Sequence, residues 1–128
     1  MTQQAASAQQ QVWKPDEFMA AQVYIVKAGM EQLTAGHDYF GPDDIPEGLT
    51  YGNITGNATK ALELAHVIRH YVAHRPERGI IYGRRHSRRK AAKHRMVSLY
   101  TLCSRAVAVE FLRRHGRATE SRQMELAM

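Results

Sequence analysis

Gly79-Ile80-Ile81-Tyr82-Gly83-Arg84-Arg85-His86-Ser87-Arg88-Arg89-Lys90-Ala91-Ala92-Lys93-His94-Arg95-Met96-Val97-Ser98-Leu99-Tyr100-Thr101-Leu102 is the stretch on which the reading of this chain turns. Ile80 to Tyr82 is a short β-favouring run. Met96 to Leu102 is a second, in which Val97, Leu99 and Thr101 alternate with Met96, Ser98 and Tyr100. Between them, Arg84 to Arg95 carries seven bases (Arg84, Arg85, Arg88, Arg89, Lys90, Lys93 and Arg95) and no acid. The segment reads as a β-hairpin with a long basic tip. Seven like charges repel one another, so a polyanion that neutralises them gives the cluster a physical reason. The small residues Ser87, Ala91 and Ala92 suit a tip that follows a phosphate backbone or enters a minor groove.

The charge of the whole chain is distributed in the same sense. Its 128 residues carry 18 Lys and Arg against 12 Asp and Glu, a formal charge of +6. Up to Ile68 there are 3 bases and 8 acids, and from Arg69 onward 15 bases and 4 acids. Such asymmetry between halves points to a dedicated anionic partner. The length suits one domain. With 44% hydrophobic and 23% charged residues the chain is expected to fold, and no apolar run approaches the roughly 20 residues of a membrane span. Met1 to Gln11 has no basic residue followed by an apolar stretch, so no secretory signal and no membrane partner are expected, and a cytoplasmic location is. The single Cys103 excludes an internal disulfide and reads as a structural thiol.

Upstream of the hairpin the pattern is helical. Residues 1–12 read as a disordered leader. Pro15 with Asp16 and Glu17 opens a helix, and Phe18, Ala21, Ile25, Ala28 with Met19, Val23, Val26, Met30, Leu33 give it apolar spacing from about Asp16 to Leu33. Gly36 stops it. Pro42-Asp43-Asp44 opens a short helical turn that Pro46 and Gly48 close, and Leu49 to Thr55 reads as a turn. Ala58, Ala61, Leu62, Ala65, Ile68, Tyr71 and Val72 predict a second long helix from about Asn57 to His74. After the hairpin, Ser104 is a candidate cap for a helix from Arg105 to His115, with Val107, Ala108, Phe111 and Leu112 on one face and Gly116 as its stop. Residues 117–128 read as a flexible tail.

The fold class this predicts is α+β, mainly α with a small β-hairpin. The order of elements resembles a winged helix-turn-helix domain over roughly residues 16–102, within a domain spanning 13–103 and followed by the 104–116 helix. The resemblance rests on Phe40-Gly41-Pro42-Asp43-Asp44-Ile45-Pro46 as the opening of the motif's first helix. It rests also on the glycine-containing turn before Asn53-Ile54-Thr55-Gly56-Asn57, and on Gly79-Ile80-Ile81-Tyr82 leading into the wing. Small DNA-binding proteins of bacteriophages and mobile elements are similar. The resemblance implies a recognition helix beginning near Thr55, with Asn53, Thr55, Asn57, Thr59 and Lys60 at base edges and the wing bases on phosphate. That helix start has no Arg and one Lys, a departure that weakens guanine readout. What it implies is a transcriptional or replication regulator that binds duplex DNA.

Two other functions stay open: an RNA-binding protein that uses the arginine-rich segment, and a protein-interaction module such as a phage-type inhibitor or adaptor of a host enzyme. A homodimer through 105–115 would match two recognition helices to two half-sites, although packing of that helix on its own domain is the preferred reading. No enzyme and no cofactor are expected, since there is no Gly-rich phosphate loop, nucleophile elbow or dense carboxylate cluster. His66, His70 and His74 fall at i, i+4 and i+8 on the predicted helix. Its rise would put the outer two about 12 Å apart, too far for one ion, so they are read as structural or solvent-facing.

Overall fold

The computed structural model describes residues 15–46, 48–49, 52–72, 83–87 and 95–119. Among these the chain is α+β. Helix α1 runs Pro15–Thr34, a 3-10 turn Pro42–Asp44 follows, and then α2, Gly52–Leu64. The strands are β1 (Ile68–His70), β2 (Arg84–His86), β3 (Met96–Ser98) and β4 (Tyr100–Leu102). Helix α3, Arg105–His115, leads into a final 3-10 turn, Gly116–Thr119. None of the helices among the described residues is long and apolar enough to cross a membrane.

The first helix is central because it is apolar nearly all round. Ala20, Ala21, Val23, Tyr24, Ile25, Val26 and Ala28 are all buried, which is the pattern of a helix covered on every side. It packs against α2, α3, β4 and the last 3-10 turn. Its end is a Schellman motif. Gly36, at φ +90°, lets its amide reach Leu33 O at 3.0 Å and the His37 amide reach Gln32 O at 2.8 Å. Gly29 faces the sheet: a Cβ there would stand 2.9 Å from the Phe40 ring and 3.0 Å from Leu102. Glycine thus lets the helix lie directly on Phe40 and Leu102.

The second helix differs from the sequence reading at both ends. It begins at Gly52, so Gly52 to Thr55 is helical rather than a turn. Ile54, buried to 2% exposure, shares a face with the buried Ala58 and Leu62 and extends the apolar stripe by one turn. It ends at Leu64, not His74. There the chain again makes a Schellman motif, with bonds from the His66 amide to Glu63 O and from the Val67 amide to Leu62 O, both 3.0 Å. The left-handed residue is His66, at φ 59°. Val67 and Leu62 are both buried, supplying the hydrophobic contact this motif carries. Past His66 the chain is extended. His66 is therefore in the helix stop, His70 in β1, and His74 outside the described residues, so the three do not share a helix face. Among the described residues no group of three His, Cys, Asp or Glu could hold a metal ion.

The hairpin also departs from expectation. Ile80–Tyr82, expected as its first strand, lies outside the described residues. The partners of the 96–102 arm are two separate strands: Ile68↔Leu102 and His70↔Tyr100, then Arg84↔Ser98 and His86↔Met96, all antiparallel. Beta-1 and β2 thus face successive halves of one arm. Leu99 accepts from the Tyr71 amide at 2.9 Å and donates to Gly83 O at 2.8 Å, so Tyr71 and Gly83 share one partner residue on that arm. On the other side of the arm, Phe40 and Tyr100 exchange backbone bonds of 2.9 and 2.8 Å.

Helix α3 matches its expected limits, and the Ser104 hydroxyl accepts from the Val107 amide at 3.0 Å as its cap. Ala108 is fully buried, with Phe111 and Leu112 packed on the same core, whereas Val107, expected on the same face, is 40% exposed. Gly116 does not stop the chain. It takes right-handed helical angles and passes into the 3-10 turn. Arg117 to Thr119, expected in the flexible tail, thus belongs to the packed structure, with Thr119 1% exposed and bonded by Lys27 Nζ at 3.2 Å.

Candidate nucleic-acid interface

The exposed face of α2 follows from its buried one. With Ile54, Ala58 and Leu62 turned inward, Asn53, Gly56, Asn57 and Lys60 fall on the opposite stripe, all exposed. Thr55 and Thr59 do not join that stripe; they are half-buried on its flank, and the Thr59 hydroxyl donates to Thr55 O at 2.8 Å. The Asn57 amide likewise donates to Asn53 O at 2.8 Å. The first turn of α2 has no acid, and nothing lies within 4 Å of where a Cβ on Gly56 would stand. The N-terminal end of a helix is the positive end of its dipole.

The second part of the surface is the β2–β3 ribbon. Arg84 and His86 are exposed on β2, and Arg95 is exposed where the Ser87 amide donates to Arg95 O at 2.8 Å. Arg88, Arg89, Lys90 and Lys93 lie in sequence between these two bonded residues and outside the described ones.

Arg85 has a different place. Its side chain is 14% exposed, and its Nη2 lies 2.7 Å from Asp43 Oδ1 and 3.1 Å from Asp44 Oδ2. The two carboxylates are 1% and 5% exposed. Burial alone would lower the Arg85 pKa, but the hydrogen bond and charge of Asp43, joined by those of Asp44, hold it above its ordinary value. The guanidinium carbon also stands 5.9 Å from the centre of the Tyr39 ring, within cation–π range. Expected among the phosphate contacts, Arg85 instead ties β2 to the Pro42–Asp44 turn, and Asp43-Asp44, read as a helix-opening pair, is its counter-charge.

At the junction of α2 with the sheet, His70 Nε2 is 3.4 Å from Glu63 and its ring is 4.6 Å from that of Tyr100. Burial, and then the Glu63 charge, push the Tyr100 hydroxyl above its ordinary pKa against the bond from Ser98.

The outward face of the sheet was not legible in the sequence. Ile68 and Leu102 turn to the core, leaving Arg69 and Thr101, paired across β1 and β4, facing outward. Asp38 and Tyr71 converge with them there. These residues come from three separate segments, and no spacing in the chain signals that they meet.

No protein-family model matches the chain, and neither the curated proteins nor the solved structures hold a match to it.

Proposed function

We propose that this protein binds duplex DNA as a winged helix-turn-helix, with α2 as the recognition helix and the β2–β3 ribbon as the root of a basic wing. The observation that carries the reading is the bond between Ser87 and Arg95, which closes a ribbon around a sequence of four bases and no acid. Two neighbouring features support it. The exposed stripe of α2 holds Asn53, Asn57 and Lys60, side chains that hydrogen-bond base edges or phosphate, with Gly56 among them where a backbone can approach closely. The order α1, bridge strand at Phe40, 3-10 turn, α2, hairpin also suits the motif, its second helix shortened to Pro42–Asp44.

In this reading the wing supplies most of the affinity through counterion release, and α2 supplies a limited sequence preference. The residues on phosphate are Arg84, Arg88, Arg89, Lys90, Lys93 and Arg95; Arg85 holds the wing to the domain. The role is regulatory, in transcription or replication, and no catalytic step is involved.

Mobility-shift measurements on genomic duplexes across a salt series, with duplex and hairpin RNA as competitors at one salt concentration, test the proposal. Retention of particular duplexes above about 0.2 M salt supports a regulator. Preferential competition by hairpin RNA transfers the basic segment to an RNA target. Failure to retain any nucleic acid at about 0.15 M salt rejects the proposal.

A further inference from the structure

A cleft of about 280 Å³ opens between the C-terminal half of α1, the segment that follows it, the end of β4 and the start of α3. Its floor is apolar. Gly29 and Phe40 are buried there, and Leu33 and Leu102, half-buried, complete it. Arg105 and Asp38, both exposed, carry opposite charges on its rim. Among the described residues neither side chain has a hydrogen-bond or ion-pair partner, so the two charged groups stand more than 4.0 Å apart. His37, the other basic group of the rim, lies with its ring 6.2 Å from that of Tyr39.

A cleft of this size is at the lower end of the roughly 300–1,000 Å³ of ligand sites, and so suits a small molecule. Its lining asks for three features in that molecule: an apolar body against Leu33, Phe40 and Leu102, an anionic group for Arg105, and a cationic group for Asp38. Opposite charges that share a cleft without pairing are both left to meet a ligand. A ligand of one charge would be attracted by one of them and repelled by the other. A guanidinium binds a carboxylate through paired hydrogen bonds, and a carboxylate accepts from an ammonium. An α-amino acid with a branched apolar side chain has all three features on one small frame. We infer that this cleft binds such an amino acid as its zwitterion, with Arg105 on the carboxylate, Asp38 on the ammonium and the side chain over the floor. The site uses no residue of α2 or of the wing, so it does not depend on the nucleic-acid reading.

The test is isothermal titration calorimetry of the full chain with L-leucine and with two analogues that each lack one charge, 4-methylpentanoate and 3-methylbutylamine. Leucine is expected to bind one-to-one with a Kd on the order of 0.1 mM, and each analogue about tenfold more weakly. L-Serine, which keeps both charges but lacks the apolar body, is expected to be weaker by about the same factor. Arg105→Ala should lose the preference for leucine over 3-methylbutylamine and keep that over 4-methylpentanoate. Asp38→Asn should do the reverse. These ratios are internal to each variant, so a general loss of stability does not imitate them. Absence of leucine binding at about 10 mM, roughly a hundredfold above the expected Kd, overturns the inference. So does equal binding of leucine and its two analogues, tighter binding of 4-methylpentanoate, or a set of preferences that both variants leave intact. Serine binding as tightly as leucine overturns the assignment of an apolar side chain to the floor.

Discussion

Arg85 Nη2 and Asp43 Oδ1 stand 2.7 Å apart across 42 residues of sequence, in a contact where the carboxylate is 1% exposed. One guanidinium nitrogen, Nη2, here serves two adjacent carboxylates, while the planar group also stands over the Tyr39 ring. Removing one partner of a buried pair leaves the other charge uncompensated. Arg85→Ala is therefore expected to lower stability by about 3 kcal/mol in urea unfolding, with Arg85→Lys recovering only part of that. Arg84→Ala, at the exposed neighbouring position, should change stability by less than about 0.5 kcal/mol and reduce DNA affinity instead. Equal effects of the two alanine variants on stability would contradict the division of roles.

Gly83 immediately precedes β2. At φ +76°, a side chain there is strained, and its Cβ would collide with the Tyr71 carbonyl oxygen. Gly83→Ala is expected to cost about 2–4 kcal/mol and to loosen the pairing at Leu99. Hydrogen exchange at the Leu99 and Tyr71 amides reads the second effect directly.

His66 occupies a position that glycine fills better. Its left-handed conformation costs roughly 1–2 kcal/mol in any residue with a Cβ, less the entropy that glycine gives up on folding. His66→Gly is expected to raise stability by up to about 1 kcal/mol, and His66→Val to lower it by at least as much. Thermal unfolding of the two variants checks the sign in each direction.

This residue also explains where the sequence misleads. Helix α1 is legible because its apolar spacing and its glycine stop agree, and α3 because Ser104 marks its start. The end of α2 carries no such mark. Val67, Ile68, Tyr71 and Val72 continue a helical spacing that is in fact filled by a Schellman contact and a three-residue strand. The start is obscured by Gly52 and Asn53, which read as a turn although Ile54 is already in register with Ala58. In the basic run, Arg85 is indistinguishable from its neighbours by composition. The signal available was the adjacent Asp43 and Asp44, two acids that need a cation when they are buried. The outward face of the sheet had no local signal, since strand pairing alone brings Arg69 beside Thr101.

Gly56 separates stability from function on α2. It sits on the exposed stripe with open space around it. Gly56→Ala should stabilise the protein by up to about 1 kcal/mol through helix propensity. Gly56→Gln should keep part of that gain yet weaken DNA binding if α2 lies close in a groove, as the proposal requires. Affinity unchanged by Gln would place α2 away from the DNA.

In the proposed function, the run between Ser87 and Arg95 meets the phosphates of duplex DNA. The dependence of log affinity on log salt, measured for the wild type and for Arg88→Ala/Arg89→Ala/Lys90→Ala, tests it most directly. Loss of three phosphate contacts should lower the slope by about 2–3, at roughly 0.9 per contact. A slope unchanged by the triple substitution would contradict the account.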